Sequence, residues 1–277
     1  PLAKKDDPPK AEFTNMSGLA DYKAIPPNDF SFYESLNKLV QEEPVGWLDP
    51  ETTGLCATIG IVKGKPFQPD ARMKKILTEA ADVGAVTVRA LAARPREDKF
   101  YYYPGESVWA TPFPGGSHEF IEDGAVVIDG RAYFHFYATG ITPAMAKKVI
   151  GKGSKYAYTY LDVDGNPLDG CKTYKVHVPP NVPAKDFWSF MVYDGQTRSV
   201  LETDQKSGGL DSNNPSVKAN ADGSYTMWFG PKAPKGHEGN WIQTMPGKSF
   251  NVLLRLYGPL QEGFDKTWMP ADIELVD

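Results

Sequence analysis

The sequence has few of the residues that build metal and redox sites. Its 277 residues include only two cysteines, Cys56 and Cys171, and four histidines. The cysteines form no CxxC pair and no histidines stand at HxH or HExxH spacing, which excludes zinc-ribbon, thioredoxin-like and helical zinc-protease patterns. We therefore expect no metal and no cofactor. Cys56 lies in an apolar stretch that predicts a buried free thiol.

Long apolar runs and basic clusters are missing as well. No run approaches the ~20 apolar residues of a membrane-spanning helix. The net charge of −5 leaves no basic stripe for nucleic acid. A signal peptide, a glycine-rich phosphate loop and a GxSxG elbow are also missing. The chain begins at Pro1 without Met, which we interpret as a fragment or a processed product. Its compartment stays open between periplasmic or secreted and cytoplasmic.

Aromatic residues, proline and glycine are abundant instead. Aromatics make up 12% of the chain, which also contains 24 prolines and 26 glycines. This composition favours a β-rich fold with long ordered loops. Residues 1–27 are polar and proline-rich, and predict an extended arm that lies against something else. Such an arm suggests a partner domain upstream.

Residues 28–155 predict a helical segment with a long loop. Capping residues and apolar periodicity predict helices that start at Asn28 (to about Glu43), Asp49, Asp70 (ending before Pro95), Asp129 (to Gly140) and Thr142 (to Gly151). The stretch 129–140 also alternates like a strand, but its cap and its terminal glycine favour a helix. Residues 96–128 form an aromatic, glycine-rich loop of a kind that often carries function.

From residue 156 to 277 the apolar period changes to two. Short runs predict strands at 156–163, 172–178, 187–193, 224–229, 249–257 and 273–276. Asp164-Gly-Asn-Pro167 between the first two runs predicts a hairpin turn. Many short strands separated by Gly, Pro and Asn are typical of an antiparallel β-sandwich. The predicted fold class is therefore α+β, a helical segment followed by a sandwich.

Several runs in this second part carry a family resemblance. They are Asp169–Ser189 (DGCKTYKVHVPPNVPAKDFWS), Val192–Ser199 (VYDGQTRS), Phe229–Pro234 (FGPKAP), Gly239–Gly247 (GNWIQTMPG) and Leu254–Leu260 (LRLYGPL). Together they resemble the C-terminal domain of bacterial proteins in which a DUF1254 domain is followed by a DUF1214 domain. The resemblance implies jelly-roll-like β domains with a helical segment between them, and an upstream DUF1254-like partner that precedes Pro1. A carbohydrate-related role has been associated with this fold, but fold similarity alone is a weak argument for function.

The first candidate site lies just beyond a predicted strand end. Asp194 and Arg198 stand four positions apart after Tyr193. Such a pair could bind a polar ligand through the guanidinium, or it could be an ion pair that fixes the loop. We predict Asp194 as a catalytic acid or base, and Tyr193 and Arg198 as substrate-binding residues.

The strand 249–257 supplies further candidates. Asn251, Leu253, Arg255 and Tyr257 share one face, and the apolar residues between them share the other, which predicts a core face. Arg255 and Tyr257 could line a pocket or lie in solvent, and we predict them as substrate-binding residues.

Two further pairs complete the predicted site. Asn240 and Trp241 suit sugar recognition, with an amide beside an aromatic platform, but they equally suit a loop held by the Asn side chain. His135 would lie one helical turn from Arg131, which predicts a second acid–base group beside a substrate-binding arginine, although a structural histidine fits the same aromatic setting.

Three functional hypotheses follow from these residues. The first is a hydrolase or related carbohydrate-active enzyme with a cleft between sandwich and helices. The second is a non-catalytic module that binds a glycan or another polar ligand. The third is a structural domain that completes a DUF1254 partner. No nucleic acid and no membrane span are expected, and an oligomer is left open.

Overall fold

The computed structural model describes residues 26–138 and 140–276. In this part of the chain the helices are α1 Ser31–Glu42, α2 Pro50–Thr58, α3 Ala71–Ala93, α4 Ile128–Ala138, α5 Pro143–Ala146 and α6 Gln261–Asp265. The strands are β1 Ile121–Glu122, β2 Ala125–Val126, β3 Ser154–Thr159, β4 Tyr174–Val178, β5 Ala184–Asp194, β6 Gly209–Asp211, β7 Tyr225–Gly230, β8 Trp241–Gln243, β9 Phe250–Pro259 and β10 Glu274–Leu275. The arm predicted for residues 1–27 lies outside the described residues, except for Pro26 and Pro27.

Two four-stranded sheets carry the second half of the chain. Their strand orders are β3-β9-β5-β6 and β10-β4-β7-β8. Every pair is antiparallel except β7 and β8, which run parallel. Phe190 and Val252 of the first sheet share one buried cluster with Val176 and Met227 of the second. The predicted α+β class is confirmed, and the two sheets packed across this core are consistent with a sandwich.

The strand β9 has two faces with different neighbours. Phe250, Val252, Leu254 and Leu256 point into the core between the sheets, as the alternation predicts. Leu253, on the opposite face, packs with Phe134 of α4 and Tyr158 of β3 in a second buried cluster. The helical segment therefore covers the outer face of the first sheet, and this face is where a cavity can form.

Of the five predicted helix starts, Asp49, Asp70 and Thr142 are the N-cap residues of α2, α3 and α5. Asp49 and Asp70 accept hydrogen bonds from the backbone N–H groups of Thr52 (2.9 Å) and Met73 (2.7 Å). The helix favoured for residues 129–140 is present as α4, but it begins at Ile128, so Asp129 lies inside its first turn and is not the predicted cap. The predicted cap at Asn28 is wrong because α1 begins at Ser31, whose N–H donates to the carboxylate of Asp29 (2.9 Å).

Other local predictions are corrected by longer-range pairing. The helix α5 ends at Ala146 and does not reach Gly151, whose N–H donates to the carbonyl of Pro259 at the end of β9 (2.7 Å). The predicted hairpin does not form between β3 and β4, because β3 pairs with β9 and β4 with β7. The turn itself exists, since the Asp162 carboxylate accepts the N–H of Asn166 (2.8 Å), and it connects the two sheets.

The strands that the sequence missed are short. In the described ranges β1, β2, β6 and β8 have two or three residues each. Strands of this length show too few alternating positions to be recognised by periodicity. Also within the described residues, no helix combines the length and the hydropathy that a membrane crossing requires.

The loop 96–127 is part of the sandwich core. Trp109 is completely buried among the core residues of both sheets, and its indole N–H donates to the carbonyl of Ala271 (3.0 Å). Its ring centroid lies 6.4 Å from that of Phe190. This loop therefore holds the helical segment against the sandwich.

We predict that Trp109→Ala lowers the free energy of unfolding by about 3–5 kcal/mol, because it leaves a large cavity in the core. Trp47 is 41% exposed, and Trp47→Ala is the matched control, with an expected change within about 0.5 kcal/mol. Urea unfolding followed by circular dichroism measures both. Equal effects of the two variants would contradict the anchoring role of Trp109.

Candidate functional site

A cavity of about 240 Å³ lies between the outer face of the first sheet and α4. Its walls are largely apolar and include Phe113, Phe134 and Leu253. The polar side chains that line it include Asn251, Arg255, Tyr193 and Tyr137. A concave apolar site with a few convergent polar groups is the usual form of a small-molecule site.

Strand pairing explains why these polar groups meet. Asn251 lies opposite Tyr193 in the register of β9 and β5, and Arg255 lies between Ser189 of β5 and Tyr156 of β3. Side chains at paired positions project from the same face of a sheet. The cavity face of the sheet therefore carries an amide, a guanidinium and several phenols.

Arg255 is held by tyrosines. Its Nη2 donates to the Tyr193 hydroxyl (3.1 Å), its Nη1 to the Tyr257 hydroxyl (3.4 Å), and its Cζ lies 5.6 Å from the ring centroid of Tyr156. Burial alone would lower the pKa of Arg255, but the Tyr193 and Tyr257 oxygens outweigh it and raise the pKa. No ion pair in the described part of the chain includes Arg255. Its charge is thus oriented but not neutralised by a carboxylate.

Asn251 is completely buried, and its side-chain oxygen and nitrogen have no hydrogen-bond partner among the described residues. An Asn amide offers two donors and an acceptor, and leaving them unsatisfied in a protein interior is unfavourable. Such a group in a folded protein calls for a specific explanation. Asn251 lines the cavity, so a bound molecule would supply the partners.

Two other polar groups at the cavity are also unpaired. The Tyr137 hydroxyl and the Arg255 Nε are enclosed and have no hydrogen-bond partner in the described ranges. Burial, followed by the nearby phenols of Tyr160 and Tyr193, raises the pKa of Tyr137 well above its usual range. Tyr137 therefore stays a neutral O–H donor at physiological pH.

Asp194 does not face the cavity. It follows Val192 by two positions on β5, so its side chain lies on the core side of the sheet. Its carboxylate accepts the N–H groups of Gln196 (2.8 Å) and Thr197 (3.0 Å) and pairs with Lys248. Although burial opposes it, the hydrogen bond from Lys248 and those from the turn lower the pKa of Asp194.

Arg198 is positioned by this turn. Its N–H donates to the Asp194 carbonyl (2.8 Å), and its φ of 62° is left-handed. The sequence spacing suggested an ion pair between Arg198 and Asp194, but the guanidinium does not pair with that carboxylate. The Arg198 Cζ lies 4.3 Å from the ring centroid of Phe136. Arg198 borders the cavity on one side and a second cavity on the other. The turn thus connects Asp194 to the site indirectly.

Asn240 and Trp241 lie in the second sheet, away from the cavity. The Asn240 amide accepts from the N–H of Lys218 (2.8 Å) and donates to the carbonyls of Lys218 (2.8 Å) and Thr226 (3.0 Å). The Trp241 indole N–H donates to the Gly230 carbonyl (2.9 Å). The side chain of Asn240 therefore fixes a loop, which was the alternative to sugar recognition.

The two residues of α4 that were predicted for the site, Arg131 and His135, lie away from the cavity. Arg131 is exposed on α4 and His135 is only partly covered, and neither lines the cavity. His135 borders the second cavity, together with Arg198. Partial burial, followed by the charge of Arg198, lowers the pKa of His135, so the imidazole is neutral at pH 7.

The sequence predicted some residues of the site and missed others. Tyr193, Arg198 and Arg255 are brought to one cavity, and Tyr257 supports Arg255. Asn251 and Tyr137 were not among the predicted site residues, although Asn251 was placed on the correct face of its strand. An Asn inside an otherwise apolar central strand was the available signal, because strand interiors are depleted in Asn. Within the described ranges no group of three His, Cys, Asp or Glu residues could hold a metal ion.

Part of the chain is similar to a protein family. Residues 153–261 match the model of DUF1214, described as a protein of unknown function. This confirms the DUF1214 part of the resemblance. No curated protein matches the chain.

Two solved structures are similar to the chain. The VPA0106 protein from Vibrio parahaemolyticus is 19% identical with a TM-score of 0.44, and the match covers 98% of this chain and 59% of that one. An uncharacterized protein from Burkholderia cenocepacia is 16% identical with a TM-score of 0.34, covering 89% of this chain and 50% of that one. The chain thus spans between half and three fifths of the length of these two proteins.

We predict that Asn251→Leu is at least as stable as the wild type, and up to about 2 kcal/mol more stable, because it removes two unsatisfied polar atoms from the interior. Asn240→Leu is the matched control, since Asn240 is also buried (9% exposed) but fully hydrogen-bonded. It should lose about 1–3 kcal/mol. Urea unfolding compares the two, and a loss above about 1 kcal/mol in Asn251→Leu would contradict the assignment.

We also predict that Asp194→Ala costs about 2–3 kcal/mol at pH 7, because the turn loses a charged acceptor, whereas Asp194→Asn, which keeps an acceptor, costs less. The folded pKa lies below the ordinary value of 3.8, so the stabilisation by the charge is present above that pH and lost as the pH falls through the folded pKa. Urea unfolding at pH 7 and pH 3 measures this. A difference between wild type and Asp194→Asn that grows on acidification would contradict it.

Proposed function

We propose that the protein binds a small organic anion with an apolar body in the cavity between the first sheet and α4. The observation that carries this proposal is the completely buried Asn251 amide, which lines the cavity with both polar atoms unsatisfied. A ligand carbonyl, carboxylate or hydroxyl would accept from the amide nitrogen, and a ligand donor or water would satisfy its oxygen.

The charge of the site supports an anionic ligand. Arg255 has no carboxylate partner in the described ranges, and its planar fork is suited to a carboxylate or a similar oxyanion. Tyr137 adds a neutral O–H donor. The walls formed by Phe113, Phe134 and Leu253 would hold the apolar part of the ligand. A charged head and an apolar body therefore both find complementary surfaces.

Binding is favoured over hydrolysis by the residues of the lining. Among the described residues that line the cavity there is no carboxylate and no imidazole. Glycoside hydrolysis by the usual route needs two carboxyl groups about the scissile bond. The Asp194 carboxylate is engaged in the turn on the other side of the sheet. The non-catalytic binding hypothesis is thus the better supported of the three.

The volume of the cavity indicates a small ligand, and the family resemblance predicts a partner domain. A cavity of about 240 Å³ fits a compact organic acid better than a glycan chain. The jelly-roll-like DUF1254 domain upstream stays a prediction of the family resemblance. In this proposal such a domain would add contacts to the ligand or control its entry.

Benzoate and benzamide form a probe pair that tests the charge, because they share a ring and differ in the anionic group. We predict by calorimetry that benzoate binds at least about tenfold more tightly than benzamide. Arg255→Met should abolish this preference, since Arg255 supplies the charge. Arg131→Met, an exposed arginine on α4, is the matched control and should bind benzoate like the wild type.

Equal affinity for the two probes would contradict the anionic ligand. The proposed function would be contradicted if benzoate does not bind to the wild type and no member of a panel of aliphatic monocarboxylates raises the melting temperature of the protein. Circular dichroism of Arg255→Met verifies that the variant is folded, so that lost binding is not read from an unfolded protein.

A further inference from the structure

A second group of unneutralised cations lies on the other side of α4. We call Arg89, Phe136, Tyr160 and Arg198 the Phe136 cluster. The Cζ atoms of Arg198 and Arg89 lie 4.3 and 5.1 Å from the ring centroid of Phe136. No ion pair of the described residues includes either arginine. Two guanidinium groups thus contact one ring without a counter-charge.

Buried donors in this cluster lack acceptors. The Nε of Arg89 and the hydroxyl of Tyr160 are enclosed and have no hydrogen-bond partner in the part of the chain that the structure describes. Arg89 uses its Nη1 for the carbonyl of Ala85 in its own helix (2.8 Å). Tyr160 is only 7% exposed. Enclosed donors without acceptors are unfavourable, and a guanidinium group without a carboxylate partner can bind an oxyanion.

The charges of these groups also affect one another's pKa values. Burial lowers the pKa of Arg198, and the charge of Arg89 lowers it further. Burial raises the pKa of Tyr160, and the positive charges of Arg198 and, to a smaller extent, of Arg89 lower it. An anion among these groups would relieve the repulsion between the arginines and accept from the phenol.

Phe136 and Arg198 of the cluster border a second cavity, which Arg89 and Tyr160 do not line. This cavity of about 220 Å³ is bordered by His135, Phe136 and Arg198 on one side and by Phe32 and Tyr33 of α1 on the other. His135 is neutral at pH 7 because its pKa is lowered, so its imidazole adds a hydrogen-bonding group without further positive charge. A small anion could reach Arg198 from this cavity.

Stacking on Phe136 alone does not account for the cluster. A cation–π contact explains why a guanidinium lies over a ring, and it is favourable by itself. It does not provide acceptors for the Arg89 Nε and the Tyr160 hydroxyl. It also does not explain why two like charges contact one ring when neither has an ion-pair partner among the described residues.

We propose that the Phe136 cluster is a second binding site, which takes an oxyanion such as a phosphate or a carboxylate group. The site is separate from the cavity of Asn251 and Arg255, with Arg198 at the boundary between them. This inference does not depend on the proposed function, because its defining groups, Arg89 and Tyr160, do not line the first cavity.

The test compares the melting temperature in sodium phosphate, sodium acetate and sodium chloride at equal ionic strength and pH 7. The wild type should melt at a higher temperature in phosphate or acetate than in chloride, in proportion to the occupancy of the site. A response to phosphate alone identifies a phosphate-type ligand, and a response to both oxyanions includes carboxylates. Tyr160→Phe removes a hydroxyl that has no hydrogen-bond partner among the described residues, so the variant should fold normally and weaken the oxyanion response at least about fivefold in apparent Kd.

Arg89→Met should abolish the response, and Asn251→Leu should retain it in full. The two proposals therefore fail independently, because Arg89→Met and Tyr160→Phe should bind benzoate like the wild type. Equal melting temperatures of the wild type in all three salts would overturn the second site. An unchanged oxyanion response in both Tyr160→Phe and Arg89→Met would overturn it as well.

Discussion

The two-sided character of β9 is the constraint on which the rest of the structure depends. This strand lies between β3 and β5 in the first sheet, so its backbone is paired on both edges. Side chains alternate between faces along a strand, and on β9 one face closes the core between the sheets through Phe250 and Val252. The other face must then present Asn251 and Arg255 to the helical segment. A one-residue shift in register would move both polar side chains into the core, so the packing that stabilises the sandwich also fixes the site.

The unsatisfied polar groups of the site lower the stability of the folded protein. A satisfied Asn in the core contributes to stability, as the hydrogen bonds of Asn240 illustrate, whereas an unsatisfied one is unfavourable. Proteins retain such groups at functional sites, where a ligand completes them. The same reasoning applies to Arg255, which tyrosines orient without neutralising it, and to the two arginines that contact Phe136. Among the described residues, several polar groups without partners therefore lie on the two sides of α4. The second sheet is hydrogen-bonded at Asn240 and Trp241, although Trp228 and Gln243 of that sheet also carry a buried unpaired atom each.

Sequence reasoning reached the architecture because alternation and capping act over a few residues. It found the five longer strands and the two-residue β10, the two faces of β9 and the caps at Asp49, Asp70 and Thr142. It failed where distant pairing decides the outcome, as when Gly151 bonds to Pro259 and β3 pairs with β9 in place of β4. For the site, spacing placed Arg198 beside Asp194, but the strand's alternation turns the Asp194 carboxylate to the other face. Asn251 was overlooked because no local pattern reveals that an amide lacks partners, which is a property of the surrounding fold.

The central claim is that a bound anion accepts a hydrogen bond from the side-chain NH₂ group of Asn251. Its side-chain NH₂ resonances in ¹⁵N-correlated NMR spectra, assigned by their disappearance in Asn251→Leu, report this directly. During a titration with benzoate we predict that these resonances shift and saturate with the same Kd as calorimetry gives, while those of Asn240 stay in place. Asn251 resonances that do not move at benzoate concentrations that saturate the calorimetric signal would contradict the account.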